Sequence, residues 1–334
     1  MQKDIKRIAD RALSGAGLEA ADIKTLLALP AISEEAYYLQ YAARYLNQSG
    51  PGALAEVHGQ VGVVSGPCPC DCQFCSFARS NGVFKQEQVE AIEDIRYRCQ
   101  ELELAGANAI YLMVTASYRM DDFIKIAREI RGHLHKETIM VANVGDFDYL
   151  TALALKDAGF DGIYHALRLG EGKVTKIKPV RRIETMQAAQ RAGLRLGTCV
   201  EPVGPEHSLD ELVEKIQITR QYGAVFSGAA RRITIPGTSI SQYGMVSEAK
   251  MALIVAVVNL ATGHAIAGNC THEPAVSGAM AGANLLWAEA GANPRDTVEV
   301  TETSRGFHVK RCREILSEAE VEVLQGPSRW FSAQ

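Results

Sequence analysis

Four of the eight cysteines fall between positions 68 and 75, in Gly66-Pro67-Cys68-Pro69-Cys70-Asp71-Cys72-Gln73-Phe74-Cys75-Ser76-Phe77-Ala78. Cys68, Cys72 and Cys75 are spaced C-x3-C-x2-C, with an aromatic residue just before the last cysteine. Three thiolates on one short loop can hold three irons of a [4Fe–4S] cube and leave the fourth iron without a protein ligand. An external amino-carboxylate can chelate such an open iron. The bland alternative is a structural zinc site in which Cys70 joins the other three. C-x-C-x-C-x2-C is not a usual zinc spacing, and no second Cys/His pair follows nearby in the chain.

Outside this loop the chemistry-bearing residues stand at the ends of apolar stretches. Arg168 and Glu171 follow the run at 162–166, where charged groups are either loop decoration or ligand contacts. Arg182 opens a helical stretch, and a guanidinium suits bidentate carboxylate binding better than an ammonium; its bland alternative is a solvated charge. Cys199 and Cys270 lie near strand ends, and Cys312 sits in the C-terminal segment, long enough to fold over the same mouth. These three thiols either converge on an auxiliary iron–sulfur cluster or are buried as small hydrophobes, the usual fate of isolated cysteines. Cys99, between Arg98 and Gln100 in a helical stretch, reads as structural. His272 and Glu273 are candidate polar groups over a substrate, although Thr271 and Pro274 around them also suit a helix start.

The elements that must position these residues alternate. Residues 1–52 read as a helical extension with helices at Lys3–Ser14, Glu19–Leu29 and Glu34–Asn47. Eight strand-like stretches follow, at Val57–Val64, Ala109–Val114, Thr138–Val141, Gly162–Ala166, Leu194–Val200, Gly223–Phe226, Ala265–Ala267 and Asn284–Ala288. Amphipathic helices lie between them, clearest at Lys85–Leu104, Met120–His133, Asp148–Asp157, Arg181–Arg191, Leu209–Tyr222 and Ser247–Leu260. Strands alternating with such helices imply a parallel sheet, and eight of them an α/β fold closed as a (β/α)8 TIM-type barrel over 53–290. A doubly wound open sheet is the alternative. Residues 291–334 read as a tail packed on the barrel. In this frame the cysteine loop follows the first strand and lies at the barrel mouth.

With these motifs in place, the sequence resembles the radical S-adenosylmethionine (SAM) superfamily from about Val57 to Ala288. The resemblance implies a [4Fe–4S] cluster on Cys68, Cys72 and Cys75, with Cys70 not a ligand and the backbone of Phe74 against the adenine of SAM. It further implies cleavage of SAM to methionine and a 5′-deoxyadenosyl radical that abstracts hydrogen from an unactivated position. The later strands are similar to the biotin synthase subgroup, which includes methylornithine synthase and the [FeFe]-hydrogenase maturase. Three passages carry this: Tyr164-His165-Ala166-Leu167-Arg168-Leu169-Gly170-Glu171, Arg181-Arg182-Ile183-Glu184-Thr185-Met186, and Ala279-Met280-Ala281-Gly282-Ala283-Asn284. By this resemblance Arg182 grips the SAM carboxylate, and Arg168 and Glu171 contact SAM and substrate. Thr115 and Ser117 stand where the family binds the SAM amino group, and Val203 and Gly204 on its adenine side.

The departures narrow the reaction. Biotin synthase holds a second cluster with cysteines on its second, third and fifth strands and an arginine on the seventh. Here Tyr111 and Val141 take the first two places, Asn269 stands near the arginine's, and Cys199 lies two residues beyond the fifth-strand place. Ordinary biotin synthesis is therefore not expected. Sulfur insertion of a biotin synthase-like or lipoyl synthase-like type, using Cys199, Cys270 and Cys312, is the leading expectation. A carbon-skeleton rearrangement or cofactor maturation on a small amino acid, with Arg168 on its carboxylate, is the alternative. A non-catalytic iron–sulfur scaffold is the third reading, and the SAM-contact residues argue against it.

The 334-residue chain is 47% hydrophobic and 22% charged, so it folds rather than staying disordered. A net charge of −4 offers no electrostatic case for nucleic acid or an anionic membrane. No run approaches the ~18 apolar residues of a membrane span, and Met1-Gln2-Lys3-Asp4-Ile5-Lys6 has no signal-peptide core. A reducing, oxygen-poor cytoplasm is the expected setting. The expected partners are a small or acyl-carrier-bound substrate, a flavodoxin or ferredoxin electron donor, and a second protein completing the reaction.

Overall fold

The computed structural model describes residues 2–297 and 307–332. Residues 298–306 and 333–334 of the expected tail, and Met1 of the extension, lie outside the described residues.

Three helices come first: α1 (Lys3–Leu13), α2 (Ala20–Leu27) and α3 (Glu34–Gln48). In α1 the residues Ile5, Ile8, Ala9 and Ala12 are buried, the one-face spacing of an amphipathic helix. Ser33 starts α3 by accepting a hydrogen bond from the Ala36 amide at 3.2 Å.

The barrel strands follow. β1 (Glu56–Gly62) runs into a two-stranded antiparallel ribbon of β2 (Val64–Ser65) and β3 (Gln88–Val89), with the cysteine loop between them. Then come α4 (Ile92–Leu104), β4 (Ala109–Met113), α5 (Met120–Arg131), β5 (Ile139–Asn143), α6 (Tyr149–Asp157), β6 (Gly162–Tyr164) and α7 (Pro179–Ala192). The fifth barrel strand is interrupted. β7 (Arg195–Gly197) breaks at Thr198-Cys199 and resumes as β8 (Val200–Val203). The order then runs α8 (Leu209–Gln221), β9 (Phe226–Arg231), α9 (Glu248–Thr262), β10 (Gly268–Cys270), α10 (Ala275–Met280), β11 (Leu285–Gly291) and α11 (Val309–Glu318). Parallel pairing proceeds β1-β4-β5-β6-β7-β9-β10-β11, and β11 pairs back onto β1, which closes an eight-stranded TIM-type barrel.

Side-chain alternation divides this barrel into two cores. Outward residues such as Val57, Val61, Ile110, Leu112 and Met140 pack under the helices. Inward residues Tyr111, Val141, Tyr164, Phe226 and Trp287 fill the interior with Trp330 and Phe331 from the C-terminal segment. α9 is buried from Met251 through Thr262, because α1, α2 and α3 cover the side that other barrel helices turn to solvent. Its sequence is correspondingly apolar all round. Among the described residues no helix is long and apolar enough to cross a membrane.

Three expected elements move. The helix expected from Lys85 begins at Ile92, because Gln88–Val89 pair with β2 instead. The strand expected at Gly223–Phe226 is Phe226–Arg231, and that at Ala265–Ala267 is Gly268–Cys270. Both true strands are rich in Gly, Ser, Ala and Asn, whose poor strand propensity hides them beside the apolar residues that precede them. The expected tail supplies α11, which packs on β1 and β11 as the last barrel helix.

Candidate active site at the barrel mouth

The C-terminal ends of the strands open into a cavity of about 1150 Å³, its open mouth included. The cysteine loop forms one wall. The loop is held by Cys68 N–H to the Phe77 carbonyl at 2.6 Å and Cys75 N–H to the Cys72 carbonyl at 2.8 Å. It is tied to the segment after β6 by Gln73 N–H to Val174 O at 2.9 Å and Lys176 N–H to Cys70 O at 2.8 Å. Cys68, Cys70, Cys72, Cys75 and Phe74 all line the cavity. Ser117 donates to the Cys68 sulfur at 3.8 Å. Hydrogen bonding from Cys70, with Ser117 adding to it, lowers the Cys68 thiol to about 6, whereas burial pushes Cys72 up to about 11 and Cys75 higher still. Among the described residues no three His, Cys, Asp or Glu side chains are gathered closely enough to share one metal ion.

The opposite wall is built on buried charge. Arg182, in the first turns of α7, lines the cavity and is almost wholly buried. Its Nε reaches Glu171 Oε2 at 3.1 Å and its Nη1 reaches Asp146 Oδ1 at 3.2 Å. His165 Nε2 lies 3.0 Å from the same Asp146 oxygen. Burial lowers His165 to about 4, so it stays a neutral imidazole donating to Asp146. Burial raises Asp146, but the His165 hydrogen bond and the Arg182 charge outweigh it and hold the carboxyl below its usual range. Thr175 Oγ1 satisfies the other Glu171 oxygen at 2.8 Å. Arg168 lies against Glu201 at 3.4 Å, and both line the cavity. Thr115 Oγ1, Tyr164 Oη, Trp287 Nε1 and His272 Nδ1 are buried cavity-lining atoms without a hydrogen-bond partner among the described residues.

Most of the expected residues are thus brought together, with exceptions. Glu171 does not line the cavity; it sits behind Arg182 and orients it. Val203 packs outward among α8 and α9 residues, and Gly204 makes room for the Glu206 carboxylate, which pairs with Arg232 at 2.9 Å. The cavity is met instead by Glu201 and Pro202, and the register irregularity between Val200 and Val203 leaves Val203 on the outer side. Cys199 and Cys270 do share the barrel interior. Cys312 does not join them: it is buried in the outer core on α11, and its thiol lies 3.3 Å from the Trp287 carbonyl. The helix that carries it covers the outside of β1 and β11 and cannot cross the mouth. His272 lines the cavity, stacked on Trp287 at 4.9 Å, while Glu273 lies 3.7 Å from Arg231 outside it.

Sequence reasoning missed Asp146, Glu201, Arg231 and Arg295. Asp146 and Arg295 follow β5 and β11 by a few residues, the signal that pointed to Arg168, whereas Glu201 and Arg231 lie within β8 and at the end of β9; no recognised motif singled out any of them.

Residues 63–218 match the Radical SAM superfamily. A biotin synthase from Magnetococcus marinus is 29% identical over 217 residues, 62% of this chain and 66% of the relative. One from Persephonella marina is 25% identical over 276 residues, 78% of this chain and 79% of the relative. The chain spans between half and two thirds of the length of the first few such relatives. Among solved structures, methylornithine synthase superposes with a TM-score of 0.78 at 16% identity, covering 97% of this chain and 98% of that one. HydG, a maturase of the [FeFe]-hydrogenase, gives 0.76 at 17% identity, covering 91% of this chain and 72% of that one. The fold is therefore that of these barrels, and residues 63–218 form a radical SAM domain that is similar in sequence to biotin synthases.

Proposed function

We propose that this enzyme binds a [4Fe–4S] cluster through Cys68, Cys72 and Cys75 and SAM beside it, and rearranges a small carboxylate-bearing substrate, an amino acid being the best fit. The radical SAM match over residues 63–218 implies both groups, and the residues present fit them. Three thiols share one cavity wall with a spare hydroxyl on Thr115 and a buried guanidinium on Arg182 facing them. When bound, the two groups supply an adenosyl radical able to break an unactivated C–H bond.

The chain's own residues then do the following. Arg182, fixed by Glu171 and Asp146, presents a rigid cation to the SAM carboxylate. Thr115 and Ser117 stand near the amino end, and the Phe74 backbone against the adenine. Arg168 and Glu201 offer a cation and an anion side by side, the pair that an α-amino carboxylate needs. A flavodoxin- or ferredoxin-type protein supplies the electron.

The observation that carries this is the single cavity shared by the cysteine loop, Arg168 and Arg182. Anaerobic reconstitution, reduction with SAM and chromatography test it. Wild type should release 5′-deoxyadenosine and methionine, and consume one of a panel of amino acids. Absence of 5′-deoxyadenosine from fully loaded protein would return the chain to a scaffold role.

Sulfur insertion is the second reading, supported by the biotin synthase relatives and by the Cys199–Cys270 pair. With Cys312 on the outer layer, the proposed three-cysteine set for a sulfur source is not assembled. More than about four irons per chain in reconstituted protein would restore this reading.

A further inference from the structure

Two thiols that the cysteine loop does not use meet inside the barrel. On β9, Gly228 is level with Cys270, and Ala229 is level with Val200, so Cys199 falls on the other flank of Gly228. A side chain at Gly228 would run into the Cys270 backbone, with a Cβ 2.0 Å from its carbonyl oxygen. The strand between the two cysteines is therefore bare at this level, and both thiols belong to one buried cluster inside the barrel. Both are buried, in one cluster with Tyr164, Phe226 and Trp287. Tyr164 is the member that connects them to the chemistry. It faces inward from the strand beside β7, lines the cavity, and has a buried hydroxyl without a partner among the described residues. Cys199 and Cys270 lie within electrostatic reach of that hydroxyl.

We propose that Tyr164, backed by the Cys199–Cys270 pair, is a hydrogen-atom donor that quenches a carbon-centred radical in the cavity. The assignment rests on the radical chemistry proposed above. Phenol O–H and thiol S–H bonds are weaker than most aliphatic C–H bonds, so a carbon radical takes hydrogen from them downhill. The Tyr164 O–H bond breaks as the new C–H bond forms. The phenoxyl then takes a hydrogen atom from the Cys199 thiol. The resulting thiyl is restored by one proton from solvent and one electron from a low-potential protein donor of the flavodoxin or ferredoxin class. The net change is one radical, one electron and one proton converted to a C–H bond. Burial keeps both Tyr164 and Cys199 protonated, the state that hydrogen-atom donation requires and nucleophilic attack does not. Tyr164 is the catalytic residue, Cys199 its hydrogen source, and Cys270 a positioning residue that holds the Cys199 thiol.

The test uses the loaded protein equilibrated in D2O, with SAM and dithionite and no substrate. Phenol and thiol hydrogens exchange with solvent, so the adenosyl radical quenched by this donor becomes 5′-deoxyadenosine carrying solvent deuterium. Wild type should show the label by mass spectrometry over many turnovers, Tyr164→Phe should lose it to background, and Cys199→Ser should stop near one labelled equivalent per chain because its phenoxyl is no longer restored. Unlabelled 5′-deoxyadenosine from wild type, or equal label in the variants, overturns the donor while leaving the radical reading intact. No 5′-deoxyadenosine at all overturns both. A second readout needs neither cluster nor turnover: mild diamide oxidation of the cluster-free protein should join Cys199 to Cys270 in peptide maps, with Cys99 and Cys312 left as free thiols. Failure to find that crosslink overturns the contact itself.

Discussion

Arg182 meets Glu171 through Nε at 3.1 Å with both side chains almost fully buried, and it shares Asp146 with His165. A guanidinium fork makes these contacts from two different nitrogens, which an ammonium cannot reproduce. Arg182→Lys should therefore weaken SAM binding by about 1–3 kcal/mol, the range of a charge-assisted hydrogen bond. Arg182→Met should in addition lower folding stability by about 3–5 kcal/mol, since it strands buried carboxylates. Calorimetric SAM titration and urea unfolding check the two effects. Unchanged affinity in the lysine variant would make the arginine purely structural.

The cysteine loop separates its four members. Cys68→Ala, Cys72→Ala and Cys75→Ala should each lose the oxygen-sensitive chromophore's SAM-dependent chemistry, whereas Cys70→Ala should largely keep it. Cys70 lines the same cavity as the other three, so geometry alone does not set it apart. Iron content and 5′-deoxyadenosine formation for all four variants decide the ligand set. A dead Cys70→Ala would replace it.

Cys312→Ala should lose no iron. Its thiol contacts the Trp287 carbonyl from the outer layer, and burial pushes it up to about 12. The expected cost is about 1–2 kcal/mol from lost packing, read by thermal unfolding. Loss of iron would return Cys312 to the interior set.

How far the sequence reached is visible in these residues. The cysteine spacing and the α7 motif are local patterns, and the structure places the cysteine loop and Arg182 on one cavity. The placement of Cys312, Val203 and Gly204 was not legible. Each depends on something non-local: the irregular pairing of β8 with β9 between Val200 and Val203, and the side of the barrel on which α11 docks. Asp146 was missed for the same reason. Only the fold brings a carboxylate from the loop after β5 between His165 and Arg182.

His165 makes stability depend on pH. Burial depresses its pKa from 6.5 to about 4, with Asp146, Arg182 and Arg168 around it. The unfolded chain therefore takes up a proton before the folded one does. Stability from this group is complete above about pH 6.5 and is lost as pH falls toward 4, by about 3 kcal/mol in all. Urea unfolding from pH 7 to 4 should be steeper for wild type than for His165→Gln, which keeps a donor for Asp146. Parallel curves would mean that His165 is already charged in the fold.

The bottom of the barrel is closed by the C-terminal segment, and its packing is tight enough to predict coupling. Phe331 fills the space beside Gly162 so closely that a Cβ there would lie 2.4 Å from its ring and 2.5 Å from the Arg195 carbonyl. Trp330 stands likewise over Gly268, and Glu56 accepts the Arg329 amide at 2.9 Å. Gly162→Ala overpacks this site and should cost about 1–3 kcal/mol. Phe331→Ala empties it and should cost about 3–5 kcal/mol. In the double variant the added methyl enters space that the ring has vacated, so the combined loss should fall short of the sum of the two. The Arg195 carbonyl still crowds the methyl, which keeps the rescue partial. A double-mutant cycle from urea unfolding measures this coupling. Strict additivity would show that Phe331 does not pack on Gly162, and that the segment does not plug the barrel there.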